Sequence, residues 1–172
     1  MIMPSGQQLL LPANPVFIWT SLIVALLLDM LPLGRVPWMP DFLALVLVFW
    51  NVHQPQRVGI GVAFMFGLGM DVHQSALLGQ HALAYTALSF FATMIHRRLL
   101  WFTVPSQALQ VLPLFAVAHG VEIAIRMISG GIFPGWTLLL APLAESVLWP
   151  VVSVLLLAPQ RRSPNPDENR PL

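Results

Sequence analysis

Apolar residues in this chain come in long runs rather than in alternation. Residues 16–28 are apolar apart from a Thr and a Ser, and comparable runs recur to residue 158, broken by clusters of Pro, Gly, Arg or His. Runs without a two-residue period lack the signature of a barrel strand, so the pattern predicts helices. The breaks divide the chain into six segments: 16–31, 41–52, 58–78, 81–95, 104–128 and 136–158. The second is the shortest. It rises only about 17 Å, against roughly 30 Å of bilayer hydrocarbon. It either begins nearer Val36, thins the bilayer locally, or crosses it in part. Pro40 and Asp41 nevertheless mark a helix start, because proline is tolerated in a first turn and an acid there meets the positive end of the helix dipole.

Composition turns these helices into membrane spans. Hydrophobic residues make up 57% of the chain and charged residues 9%, with a mean hydropathy of +0.77. Soluble domains carry charge on about a quarter of positions, so this surface suits lipid, where every backbone polar group must bond internally. The expected fold is an all-α integral membrane protein, a bundle of about six transmembrane helices. A single transmembrane domain spans residues 1–158, followed by a disordered tail at 159–172 that is rich in Pro, Asn and Arg. No internal repeat is evident. The stretch before residue 16 has no Lys or Arg, and no small-residue cleavage site follows the first run, so that run reads as a retained helix rather than a secretory signal.

Charge supplies the orientation. All eight basic residues are arginines. With the N-terminus inside and six crossings, Arg57, Arg97, Arg98, Arg161, Arg162 and Arg170 fall on the inner side and only Arg35 and Arg126 on the outer. The positive-inside rule therefore places both termini in the cytoplasm. Removing the second crossing would separate Arg57, Arg97 and Arg98 from the C-terminal arginines. A net charge of +1 and the lack of a large basic cluster exclude a nucleic-acid partner. The absence of cysteine excludes disulfides and thiolate chemistry.

Acids at membrane depth need a partner or a purpose. In the third segment Gly59, Ala63, Gly67 and Asp71 recur at four-residue spacing, a packing stripe of small residues that ends in an acid. Asp71 is either the interfacial end of that seam or a functional charge. In the fifth, Ala118, Glu122, Arg126 and Gly130 share a face, and Glu122 precedes Arg126 by four, the favourable order for an intrahelical pair. In the sixth, Glu145 aligns with Ala141, Trp149 and Ser153 and has no local partner, while Pro142 is expected to free backbone groups. Ser21, Ala25 and Asp29 align in the first segment, and Tyr85, Ser89 and Thr93 in the fourth, and these polar sides are expected to face one another. Asp29, Asp41, Asp71, Glu122 and Glu145 thus gather in the outer half, with Arg35 and Arg126 the only arginines near them. They form a closed structural network or a site for a cation or basic partner segment.

Of the five histidines, His53 and His96 sit beside inner arginines, His73 and His81 flank an outer loop, and only His119 lies well inside an apolar run. His119 reads as hydrogen-bonded within the bundle rather than as a general base. No catalytic, metal-binding or phosphate-binding spacing occurs, so no catalytic residue, metal or cofactor is assigned. Trp38, Trp101 and Trp136 fall at expected membrane boundaries and fit interfacial anchors.

Several motifs carry a family resemblance. Pro40-Asp41-Phe42-Leu43-Ala44-Leu45-Val46-Leu47-Val48-Phe49-Trp50 is followed by Pro55-Gln56-Arg57-Val58-Gly59, Phe66-Gly67-Leu68-Gly69-Met70-Asp71 and Leu78-Gly79-Gln80-His81-Ala82-Leu83, with a late Leu148-Trp149-Pro150. In order and spacing, from about residue 15 to 158, this resembles the bacterial rod shape-determining protein MreD family. The resemblance implies a non-enzymatic component of the elongation machinery in the bacterial inner membrane. Its implied partners are membrane lipid, MreC, the actin-like MreB, RodA and a class B penicillin-binding protein. That family is also similar in architecture to the substrate-binding subunits of vitamin-uptake transporters, so a small-molecule-binding subunit is the alternative. An intramembrane enzyme using Asp71 or Glu145 is the third possibility, and no nucleophile, base and metal constellation supports it.

Overall fold

The computed structural model describes residues 13–31, 39–133 and 135–160. Arg35, Trp38, Arg161, Arg162, Arg170 and the tail beyond residue 160 lie outside them. The described residues form six α-helices: α1 (Pro15–Met30), α2 (Phe42–His53), α3 (Ile60–Gln74), α4 (Gln80–Leu99), α5 (Val104–Ile128) and α6 (Leu140–Leu157). Single 3₁₀ turns flank α6 at Trp136–Leu139 and Ala158–Gln160, and the described residues contain no strand. The stretches Val104–Ile128 and Trp136–Gln160, 25 residues each, are long and apolar enough to cross a membrane, while α1 and α2 are apolar but shorter.

Local chemistry explains most boundaries. Asn14 caps α1 by accepting from the Val16 amide at 3.0 Å, with Pro15 in the first turn. The third segment, expected to reach residue 78, stops at Gln74 because Ser75 takes a left-handed backbone (φ 51°) and the Ala76 amide closes back on the Asp71 carbonyl at 3.0 Å. The turn then passes through Gly79 at φ 102°, where a side chain would be strained. The fourth segment, expected to end at residue 95, continues to Leu99. His96, Arg97 and Arg98 do not break it, because cations in a last turn complement the helix dipole. Pro142 lies in the first turn of α6, where no intrahelical bond is lost, so the interior prolines are Pro113 and Pro150. Pro159 and Gln160, placed in the tail by sequence, continue the chain in the second 3₁₀ turn.

The bundle is organised around α2. Residues 43–52 are all buried, so this helix is hydrophobic all round, as a central helix must be. It packs on α1, α4 and α6, while α3, α4, α5 and α6 pack in sequence around it. The polar residues of α1 and α4 do not bond to each other but to α2. Trp50 Nε1 donates to Ser21 Oγ (2.8 Å), Asn51 Nδ2 to Ser89 Oγ (3.0 Å) and Thr93 Oγ1 to Asn51 Oδ1 (3.4 Å). With Phe42 N bonded to Asp29 and Asp41 to Tyr85 at the other end, these pairs make α2 antiparallel to α1 and parallel to α4. Outward-facing side chains are largely apolar, among them Ile23, Leu27, Met65, Val147 and Leu155.

Within the small-residue stripe of α3 the three positions differ. Gly67 is in backbone contact with α4: a Cβ there would lie 2.4 Å from Ala82 Cα and 2.7 Å from the His81 carbonyl oxygen. Ala63 is buried in the core, and Gly59 is the N-cap of α3, with only the Pro55 carbonyl oxygen near its Cβ position at 3.8 Å. Gly61 and Gly69 have nothing within 4 Å. Gly67→Ala is therefore expected to cost about 1–3 kcal/mol or more through overpacking. In size-exclusion profiles of detergent-extracted protein, Gly67→Ala should lose much of the monodisperse peak while Gly61→Ala and Gly69→Ala keep it. Equal profiles for all three would contradict the close approach of α3 and α4.

Candidate functional site

Every helix begins with amides that have no intrahelical acceptor. For α2 these amides are sunk inside the bundle. Asp41 meets Tyr85, five residues into α4, so α2 starts about 7 Å below the start of α4 at 1.5 Å per residue. Phe42 is half-buried and Leu43 and Ala44 are buried, and the side chains that accept from this end of the helix come from α1, α6 and the N-cap itself.

Asp29, near the end of α1, accepts from two of these amides, Phe42 N to Oδ1 at 3.0 Å and Leu43 N to Oδ2 at 2.7 Å. Asp41, the N-cap, accepts from Ala44 N at 2.7 Å, and its other oxygen takes a short hydrogen bond from the Tyr85 hydroxyl. The Asp41 amide donates to Glu145 Oε1 on α6 at 3.0 Å. The same Glu145 oxygen is 2.8 Å from His119 Nε2 on α5, and His119 Nδ1 is 3.4 Å from Glu122 Oε2, close enough for an ion pair but not aligned as a hydrogen bond. Glu145 is fully buried, and its Oε2 has no hydrogen-bond partner among the described residues. One polar network thus joins α1, α2, α4, α5 and α6.

Asp71 serves α4 in the same manner from α3. Its Oδ1 accepts from the His81 amide (2.7 Å) and lies 2.8 Å from His81 Nδ1, while Oδ2 accepts from Gly79 N (2.8 Å) and Ala82 N (3.4 Å). Asp29, Asp71 and Glu145, of which only Glu145 was expected to lack a local partner, therefore each bond to the opening amides of another segment. Close helix packing at Gly67 places Asp71 one turn further along, directly at the first turn of α4.

Asp29, Asp41, Glu122 and Glu145 are brought together, and Asp71 lies in its own cap beside α4. Arg126 is left out. The pairing of Glu122 with Arg126 expected from their spacing is not formed: Glu122 turns toward His119, and Arg126 is exposed. The reason is the helix end. The Gly131 amide bonds to the Arg126 carbonyl at 2.9 Å, and the Arg126 side chain lies against Gly131, near enough that a Cβ there would be 2.8 Å from its Cγ. Two members of the network were not assigned to it from sequence. Tyr85 is the chain's one tyrosine and shares a polar face with Ser89 and Thr93; His119 is the one histidine deep in an apolar run. Both signals are visible, but neither names a partner on another helix.

Among the described residues no group of three His, Asp or Glu side chains is arranged to hold a metal ion. The chemistry present is that of acceptors meeting amides, a tyrosine and a histidine. A match to the family described as rod shape-determining protein MreD spans residues 12–158. The chain belongs to the MreD family. It is also 29% identical over 146 residues to the rod shape-determining protein MreD of Haemophilus influenzae, covering 81% of this chain and 88% of that protein. No solved structure matches. The MreD match covers α1 through α6, and with them every residue of both caps, and it is to a shape-determining rather than a catalytic family.

The network predicts which pairs are coupled. In mixed-micelle unfolding, a double-mutant cycle on His119→Gln and Glu145→Gln should be non-additive by about 0.5–3 kcal/mol. The cycle on Glu122→Gln and Arg126→Gln should be additive to within about 0.5 kcal/mol. The reverse pattern would restore the intrahelical pair.

Proposed function

We propose that this chain is a non-enzymatic, multi-pass component of the bacterial inner membrane that serves the cell-elongation machinery, linking MreC and the peptidoglycan synthases RodA and a class B penicillin-binding protein to the MreB cytoskeleton. The observation that carries this reading is the family match along residues 12–158, the whole helical part of the chain. Family membership supports the role in rod shape; the bridging role and the partners are inferred from the company such a component would keep.

The membrane reading rests on outward apolar side chains and two helical stretches long enough to span. Orientation follows from charge. Arg57 precedes α3 and Arg97 and Arg98 end α4, so these three share one end of the bundle, opposite the acidic caps and Arg126. That end is assigned to the cytoplasm and the caps to the periplasmic half. Membership in a shape-determining family does not favour the small-molecule-binding alternative.

Two experiments test the proposal. Expressed in a rod-forming host lacking its own MreD, the chain should restore rod shape and be recovered with MreC in near-stoichiometric amounts from solubilised membranes. A stoichiometric small molecule in the purified protein, without MreC, would support the vitamin-subunit alternative instead. A fluorescent protein fused after residue 158 should fluoresce, and alkaline phosphatase fused there should be inactive. The opposite result would reject six crossings with cytoplasmic termini.

A further inference from the structure

The exposed face of α4 changes character along its length. Phe90, Phe91 and Met94 are exposed over its middle turns, Met94 to 67%. One turn on, Arg97 and Arg98 are exposed, and the next turn brings Trp101, 90% exposed. These positions follow the three- and four-residue steps that line up along one side of a helix. The alignment continues past the helix end because the chain stays coiled there: Leu100 N donates to the His96 carbonyl (3.1 Å), Trp101 N to that of Arg98 (3.2 Å) and Phe102 N to that of Leu99 (3.1 Å).

The turn is also held from within. Leu99 is fully buried, and the Phe102 carbonyl accepts from Gln107 Nε2 at 3.0 Å on α5, whose Oε1 accepts from the buried Trp149 Nε1 of α6 at 3.2 Å. Trp101 is therefore presented outward by a fastened turn. Among the described residues no carboxylate lies within ion-pair distance of either guanidinium.

We infer that this face is a docking surface for one anionic phospholipid, with its acyl chain along Phe90, Phe91 and Met94, its phosphodiester at Arg97 and Arg98, and the Trp101 indole at headgroup level. An apolar strip of little more than one turn, about 6 Å from Phe90 to Met94, matches the first few methylenes of an acyl chain. Guanidinium groups are weakly hydrated and bind phosphate oxygens through paired N–H donors. Indole favours the interface between headgroups and hydrocarbon. Phosphatidylglycerol brings its phosphodiester charge to the two arginines without an accompanying cation, whereas in phosphatidylethanolamine the ammonium group offsets that charge and is repelled by the guanidinium groups. The inference rests on the membrane reading above and adds a selectivity to it.

The test uses the full chain in nanodiscs made from equal amounts of phosphatidylethanolamine and phosphatidylglycerol, with bound lipids counted by native mass spectrometry after release. The wild-type chain should retain phosphatidylglycerol in preference to phosphatidylethanolamine. Arg97→Gln with Arg98→Gln should reduce that preference about tenfold or more, whereas Arg126→Gln at the opposite end should leave it intact. Should the glutamine pair lower the yield of folded protein, Arg97→Lys with Arg98→Lys keeps the charge and should keep most of the preference, and Trp101→Ala should shorten lipid retention. Equal retention of the two lipids by the wild type, or a preference unchanged in the glutamine pair, would overturn the inference and leave the membrane reading intact. Failure of the chain to enter nanodiscs at all would overturn both.

Discussion

A helix of 12 residues is about 18 Å long, and α2 is buried along nearly all of it, so its opening amides must find acceptors inside the protein. An unsatisfied buried amide costs about 1–3 kcal/mol, and a first turn exposes several. Asp29, Asp41 and Glu145 meet that demand from α1, the N-cap and α6. Once those three are fixed at one point, α1 and α6 are located relative to α2. Tyr85 and His119 then tie α4 and α5 to the same point.

This constraint matters more in lipid than it would in water. Lipid tails are as apolar as a leucine side chain, so burying apolar surface between helices gains little, and packing contacts and polar bonds have to specify the arrangement. The two ends of α2 show the division. At the cap end, carboxylates meet amides; toward the other, Trp50 and Asn51 bond to Ser21, Ser89 and Thr93. Between them Leu45, Leu47 and Phe49 pack with no exposure. On α3, Gly67 gives the second device, a backbone contact that brings Asp71 to the start of α4.

Much of the fold was legible because helix-length apolar runs and their breaks are local features. The fifth helix was expected at 104–128 and spans Val104–Ile128, and the second differed by one residue at each end. The third and fourth differed because their ends depend on a left-handed serine and on a basic final turn, neither of which apolarity reports. For the polar residues, spacing identified Asp29, Glu122 and Glu145 but not what each one touches, while Pro40 and Asp41 marked the start of α2, which Asp41 caps. Glu122 and Arg126 show the limit: their spacing was favourable, yet a histidine on one side and the helix terminus on the other drew them apart. The shortness of α2 looked like a weak crossing, and its meaning appeared only in three dimensions, where a short helix is one whose start is sunk among longer neighbours.

Amide hydrogen exchange at Phe42, Leu43 and Ala44, measured on the protein in nanodiscs, tests the capping of α2 most directly. First-turn amides lack intrahelical acceptors and ordinarily exchange quickly, but here all three should be protected like the interior of the helix. Asp29→Ala should then accelerate Phe42 and Leu43 at least tenfold while Ala44, held by Asp41, changes little. Fast exchange at all three in the wild-type chain, or acceleration of Ala44 together with the other two, would contradict the account.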